Sequence, residues 1–256
     1  MRTRWTFITA LCFAFVARES HAEELSIATL RGVTLRAVTT FPSGPGPFPT
    51  IVLAPGAGYH MALPIMEEAA RQFVERGIAV VRFDWGYFSA EPKGRPSKDL
   101  VLEAEDMTAV LERSRRDVRV AKDRLFVGGK SLGSGVAWKL LSTDRNIRGA
   151  VLLTPVCSST KNGVVRSEAE ENYPGIALET RPLLFVFGEQ DPYCVASVMY
   201  RYAGSAGGAV RVDVIGGDHS FGTPGLSGDA GEAVKHRNAR IAGQLMVDFV
   251  AARLLP

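Results

Sequence analysis

Arg124-Leu125-Phe126-Val127-Gly128-Gly129-Lys130-Ser131-Leu132-Gly133 is the stretch on which the reading of this chain turns. An apolar run that reads as a strand ends in two glycines, and a helix-like stretch begins right after Ser131 and runs to about Leu141. Gly129 and Gly133 stand two residues before and two after the serine, a Gly-x-Ser-x-Gly pattern. A strand that becomes a helix so abruptly makes a sharp, strained turn, and larger residues at the glycine positions would clash with the neighbouring strand and helix. The serine oxygen then projects from the end of the sheet, with the next amide, Leu132 N–H, aimed at the same space. A glycine-rich turn before an ordinary helix can give the same five residues, so the rest of the chain has to decide.

Upstream, two β-rich segments, Leu25 to Arg31 and Val33 to Phe41, meet at Gly32 and predict an antiparallel hairpin. A turn-rich stretch, Pro42 to Pro47, follows, and then strands and helices alternate. The expected strands are Thr50 to Ala54, Ile78 to Phe83, Arg124 to Val127, Ala150 to Leu153, Leu183 to Phe187 and Val210 to Ile215. The expected helices run from Ile65 to Arg76, Asp99 to Arg116, Ser131 to Leu141 and Gly231 to Leu254. Continuous apolar strands of this kind are buried on both faces, as in parallel sheets covered by helices. The fold class is therefore α/β, a mostly parallel sheet of about eight strands with an antiparallel N-terminal hairpin and helices on both faces. Val156 to Arg181 is the longest segment without a clear strand and has room for a small cap, but not for a large lid.

The ends of the chain and its charge narrow the setting. Arg2 and Arg4, the apolar stretch Trp5 to Ala17 and the small residues Ser20 and Ala22 read as a cleavable signal peptide over residues 1–22, with a single domain over 23–256. The expected location is periplasmic or secreted; the apolar stretch is short for a membrane span, and the mature chain has no other candidate span. The chain carries 30 basic and 27 acidic residues; the signal takes three basic and one acidic with it, leaving +1. No basic run interleaved with aromatics occurs, which argues against a nucleic-acid partner. The histidines and cysteines of the mature chain lack ligand spacing, so no metal is expected, and no cofactor either. Cys157 and Cys194 both follow strands that would be neighbours in the sheet; a disulfide and two buried thiols both fit that placement.

A serine becomes nucleophilic when a base takes its proton and an acid orients the base. The strand Leu183 to Phe187 is followed by Gly188-Glu189-Gln190-Asp191-Pro192, and Val210 to Ile215 by Gly216-Gly217-Asp218-His219-Ser220-Phe221. Asp191 and His219 thus sit just beyond strand ends, after Ser131 and in the order serine, acid, histidine. Glu189 is the nearest rival for the acid, and Asp218 reads as a turn former beside the histidine. His236 falls in the last helix between Lys235 and Arg237, on a solvated face. The loop Ala54-Pro55-Gly56-Ala57-Gly58 follows the first central strand and offers the Ala57 N–H opposite Leu132 N–H as a second donor for a developing oxyanion. Gly-x-Gly after a strand is also a weak nucleotide-loop signal, but position 61 is Met, so Gly-x-Gly-x-x-Gly is not completed. Tyr59, His60 and Trp85 are candidate pocket residues, and Trp85, Tyr87 and Phe88 read either as an apolar acyl wall or as core.

With these pieces in place the chain resembles an α/β-hydrolase. Within that fold it is similar to the small group that includes testis-expressed protein thirty and the third subunit of the NSL complex, related to dienelactone hydrolases. The resemblance runs from about Thr50 to Pro256 and rests on Leu53 to Gly58, Gly128 to Ser134, Phe185 to Cys194 and Asp218 to Phe221. It implies the eight-stranded hydrolase sheet, with Ser131 as nucleophile, Asp191 as acid and His219 as base. Pro55-Gly56 stands where many relatives have His-Gly, and intracellular relatives carry a cysteine matching Cys194. The expected activity is that of a serine hydrolase acting on a small ester or related acyl compound through an acyl-enzyme. The same residues also serve two other readings: an acyltransferase, and a binding or scaffold protein that keeps the fold without turnover.

Overall fold

The computed structural model describes residues 21–91 and 94–255. The basic and apolar start of the expected signal lies outside them, apart from His21 and Ala22. In chain order the first half forms β1 (His21–Ala28), β2 (Thr34–Phe41), β3 (Phe48–Ala54), α1 (Pro64–Glu75), β4 (Ala79–Phe83), α2 (Gly86–Ala90), α3 (Val101–Arg116), β5 (Val120–Lys130) and α4 (Leu132–Thr143). The second half forms β6 (Ile147–Leu153), β7 (Ser158–Lys161), β8 (Val164–Ser167), α5 (Ala169–Asn172), a 3₁₀ turn at Ile176–Leu178, β9 (Leu183–Gly188), α6 (Ala196–Ala203), β10 (Val210–Ile215) and α7 (Gly228–Leu254).

Eight strands make one sheet in the order β1-β2-β4-β3-β5-β6-β9-β10. β1 and β2 pair antiparallel, β2 meets β4 antiparallel, and the remaining neighbours are parallel, as the sequence predicts. Because side chains alternate along a strand, each apolar run feeds two cores at once. Ile51, Leu53, Phe126, Val151, Leu153, Leu184 and Val186 face the layer of α1 and α7. Val52, Ala54, Val127, Ala150, Leu152, Phe185 and Phe187 face the opposite layer, with Met107 of α3 and Trp138 of α4.

Local chemistry explains where two elements differ from expectation. α1 starts one residue early because Pro64 occupies its first turn, where a missing N–H costs nothing. The segment 156–181, expected to lack strands, contains the two-stranded β7–β8 hairpin. Its turn is Asn162-Gly163 with both φ positive, +50° and +76°, the backbone of a tight hairpin turn that favours Asn-Gly. The cap is thus small, as expected, but it is strand-built.

One buried acid ties the N-terminal hairpin to the parallel half. Asp106 of α3, 1% exposed, accepts the Gly86 N–H at 2.8 Å and the Arg31 guanidinium at 2.5 Å. Burial pushes its carboxyl up, while the Gly86 amide and Arg31 pull it back. Replacing it would leave the buried Gly86 amide without an acceptor and leave Arg31, 22% exposed, with Glu105 at 3.3 Å as its remaining carboxylate. Asp106→Ala is expected to lower unfolding free energy by about 2–4 kcal/mol in urea titration; a loss under about 0.5 kcal/mol would contradict this account.

Candidate active site

Ser131 stands between β5 and α4 with φ +52° and ψ −117°, a strained backbone for any residue with a side chain. A Cβ on Gly129 would lie 2.3 Å from the Gly133 carbonyl oxygen, and one on Gly133 would lie 2.5 Å from that of Ala54. The motif's two glycines are therefore required by close backbone approach. Ser131 N–H donates to Leu153 O at 2.9 Å, and the Ser131 carbonyl accepts Ser134 N–H at 2.9 Å and the Ser134 hydroxyl at 2.5 Å. Ser134 in turn shares a 2.9 Å hydrogen bond with the fully buried Tyr173 hydroxyl.

The side chains of Ser131, His219 and Asp191 meet. His219 Nε2 is 2.9 Å from Ser131 Oγ, and His219 Nδ1 is 2.9 and 3.0 Å from the two carboxylate oxygens of Asp191. A carboxylate accepts from Nδ1–H, which leaves the Nε2 lone pair to accept the serine hydroxyl. The Asp191 side chain is fully buried and that of His219 is 17% exposed. Glu189, the rival acid, points to solvent. Asp218 accepts the Ser220 and Gly222 amides at 2.8 and 2.9 Å, which makes it the turn former expected from the sequence.

The acid loop and the histidine loop are joined to each other. Gln190 N–H donates to Gly217 O at 2.9 Å, and a Cβ on Gly188 would lie 2.1 Å from that same oxygen. Asp191 also accepts Tyr193 N–H at 2.9 Å, and the Tyr193 ring meets the His219 ring edge-on, with centroids 4.8 Å apart. Cys157 and Cys194 form a disulfide, and Tyr193 O accepts both the Cys157 and Ser158 amides at 2.8 and 2.9 Å. The bridge fastens the start of the cap to the loop that carries the acid.

The loop after β3 approaches the serine from the other side. A Cβ on Gly56 would lie 3.6 Å from that of Ser131, which puts the Ala57 amide beside the turn. Ala57 N–H makes no hydrogen bond among the described residues, and Leu132 N–H, first in its helix, has no intrahelical acceptor. The loop is held by three side chains from the β4–α2 region. Trp85 Nε1 donates to Pro55 O at 3.1 Å, the Tyr87 hydroxyl accepts Gly58 N–H at 3.2 Å, and Asp84 accepts Met61 N–H at 2.7 Å.

The three candidate pocket residues take three different placements. Trp85 is fully buried and braces the loop from beneath, because its ring packs edge-on against Phe83 at 4.9 Å. His60 is exposed, its Nδ1 accepting Ala62 N–H and its ring 6.2 Å from that of Phe88. Tyr59 lines a cavity of about 260 Å³ together with Leu63, Ile65, Lys130, Phe221 and Lys235, a lining that includes none of Ser131, Asp191 and His219. Lys130 was not singled out by sequence reasoning. Its side chain is buried, with Nζ 2.8 Å from His219 O and 3.2 Å from Thr154 Oγ1. Burial pushes this ammonium down to about 8, against the opposing pull of Asp191 and Asp218. Among the described residues no His, Cys, Asp or Glu cluster is arranged to hold a metal, and no helix is long and apolar enough to cross a membrane.

A mostly parallel sheet with a serine at the turn after its central strand, and an acid and a histidine on the loops after later strands, defines the α/β-hydrolase class. The chain belongs to the Alpha/beta hydrolase domain family, which it matches over residues 48–247. A search of curated proteins gives no significant match. Among solved structures it is similar to an alpha-beta serine hydrolase homologue from Coxiella burnetii, with a TM-score of 0.67 and 19% identity over 88% of this chain and 96% of that one. A dienelactone hydrolase-like protein from Klebsiella pneumoniae gives a TM-score of 0.66 and 17% identity over 91% and 99%. Est1E from Butyrivibrio proteoclasticus gives 0.64 and 15% over 89% and 99%. At these identities the structural likeness speaks for the fold.

The disulfide is directly testable. Folded protein treated with an alkylating agent without reductant is expected to leave both Cys157 and Cys194 unmodified, and to take up two adducts after reduction in denaturant. Full alkylation without reductant would rule the bridge out.

Proposed function

We propose that this protein is an exported serine hydrolase that cleaves a small ester or related acyl substrate through an acyl-enzyme. The observation that carries the reading is the hydrogen-bonded chain from Ser131 Oγ through His219 to Asp191, with both links at 2.9 Å. In this reading His219 Nε2 removes the hydroxyl proton as Ser131 Oγ attacks the substrate carbonyl. Asp191 keeps Nδ1 protonated and stabilises the imidazolium that forms. The Ala57 and Leu132 amides receive the oxyanion, each worth about 3–4 kcal/mol when well aimed. The imidazolium then protonates the leaving alcohol, and water, activated by the same base, releases the acid and restores Ser131.

Wild-type protein is expected to give a p-nitrophenol burst with p-nitrophenyl acetate and one fluorophosphonate adduct, on Ser131. Ser131→Ala should abolish both, and Asp191→Asn should cut kcat by about 10³- to 10⁴-fold with folding intact. Neither burst nor adduct from folded wild-type protein would sink the hydrolytic reading.

Export is supported by the charge and apolar pattern of residues 1–22 and by the Cys157–Cys194 bridge, since disulfides persist in oxidising compartments. Of β1, cleavage after Ala22 removes the first two residues, His21 and Ala22, both exposed. It leaves Glu23, whose carboxylate binds Arg119 at 2.6 and 2.7 Å, to fasten the strand. Expressed as the full chain in a secreting bacterial host, the protein is expected in the exported fraction with Glu23 as its N-terminus; an intact Met1 in the cytoplasm would refute export.

A further inference from the structure

We infer that Lys130 is a positioning residue for the histidine: its ammonium, by donating to the His219 carbonyl, fixes the backbone of the residue whose ring Ser131 and Asp191 hold. The inference rests on the hydrolytic reading proposed above. Neighbours in sequence, Lys130 and Ser131 grip one histidine at its two ends, at 2.8 Å on the carbonyl and 2.9 Å on Nε2.

Other groups fix the histidine loop only on its flanks. Asn238 donates to Gly216 O and Phe221 O, and the Asp218 carboxylate caps the Ser220 and Gly222 amides. Among the described residues the Lys130 contact is the one hydrogen bond that reaches the backbone of residue 219 itself. The grip is made at a cost. Lys130 is 3% exposed, and none of the ion pairs among the described residues includes it. Its direct partners, Thr154 Oγ1 and His219 O, are neutral.

The charged and titratable groups around it come from every neighbouring loop. Asp191 follows β9, Asp218 follows β10, Tyr59 follows β3 with its ring 5.5 Å from Nζ, and Glu232 and Lys235 of α7 line the shared cavity. Burying an ammonium that no carboxylate touches is unfavourable, and a methionine would fill the same space without that penalty. What methionine lacks is a donor for residue 219. Deprotonation removes the charge assistance to that hydrogen bond, so turnover should fall as pH rises through about 8, where burial has placed this group.

Lys130→Met is the test, assayed with p-nitrophenyl acetate from pH 6 to 10. We expect kcat to fall by about 10- to 100-fold, the size of one charge-assisted hydrogen bond, with KM within about 3-fold of wild type. The alkaline limb near pH 8 should vanish, and the melting temperature should lie no more than about 5 °C below wild type. A kcat within about 2-fold of wild type, or an unchanged alkaline limb, overturns the inference. Should Lys130→Met not fold, Lys130→Arg decides, because its charge persists throughout the assay range: activity is retained and the limb leaves the range. A limb still near pH 8 in Lys130→Arg refutes the role.

Wild-type protein without burst or adduct would be a failure of the hydrolytic reading instead. The His219 ring resonances then test Lys130 without turnover: a shift in Lys130→Met supports positioning of residue 219 by the ammonium, and unmoved resonances overturn it.

Discussion

The site depends on a backbone that Ser131 would not adopt by itself. A non-glycine residue at φ +52° costs on the order of 1–3 kcal/mol and persists only where its surroundings over-determine it. Here they do. The Ser131 amide is committed to Leu153 of β6, its carbonyl to Ser134 at the start of α4, and Gly129 and Gly133 let strand and helix approach with no room for a Cβ. Tyr173, from the cap segment, reaches in to share the Ser134 hydroxyl. The strained turn is thus held from both neighbouring elements and from the cap, and its yield is a hydroxyl standing clear of the sheet and facing His219.

Charge around that hydroxyl is arranged in alternation. A fully buried carboxylate, Asp191, lies behind the imidazole, and a buried ammonium, Lys130, lies beneath the same residue's carbonyl. In a buried site such charges act with little screening, and in the proposed mechanism they would need no reorganisation as an imidazolium forms. In the proposed mechanism Asp191 faces the side where positive charge would develop. Lys130 holds the backbone without standing in the line of proton transfer from Ser131 Oγ to Nε2.

The order of Ser131, Asp191 and His219 was legible because each follows a continuous apolar run, and such runs become parallel strands whose carboxyl ends share one crevice. The antiparallel start and the eight-stranded sheet were legible for the same reason, the change from paired β-segments to alternating strand and helix. Lys130 was not, since nothing local distinguishes it from a solvated lysine; its burial arises only when the loop after β10 folds over the end of β5. Trp85 stayed open between pocket wall and core for a related reason: an aromatic cluster after a strand looks alike whether it faces substrate or core, and the Pro55 carbonyl that receives its indole N–H lies 30 residues away. The β7–β8 hairpin did carry a local signal in Asn162-Gly163. Its flanking residues, Ser, Thr, Lys and Arg beside two exposed valines, lack the inward apolar alternation that marks a strand against a core.

Three loops bring their groups to Ser131, and each is fixed by groups outside the motif that it carries. Trp85, Tyr87 and Asp84 pin the loop of Ala57 from the next strand's end. The disulfide to Cys157 and the Cys157 and Ser158 amides, which donate to the Tyr193 carbonyl, pin the loop of Asp191 from the cap, and Asn238 of α7 pins the loop of His219 from the opposite layer. A catalytic group displaced by about 1 Å loses much of its effect, so under the proposed function these latches would bear on rate as directly as the groups they hold. They come from separate layers of the fold, on either side of the sheet and from the cap. The geometry at Ser131 is therefore a property of the whole α/β sandwich, and the glycine and serine positions of the motif supply only its central turn.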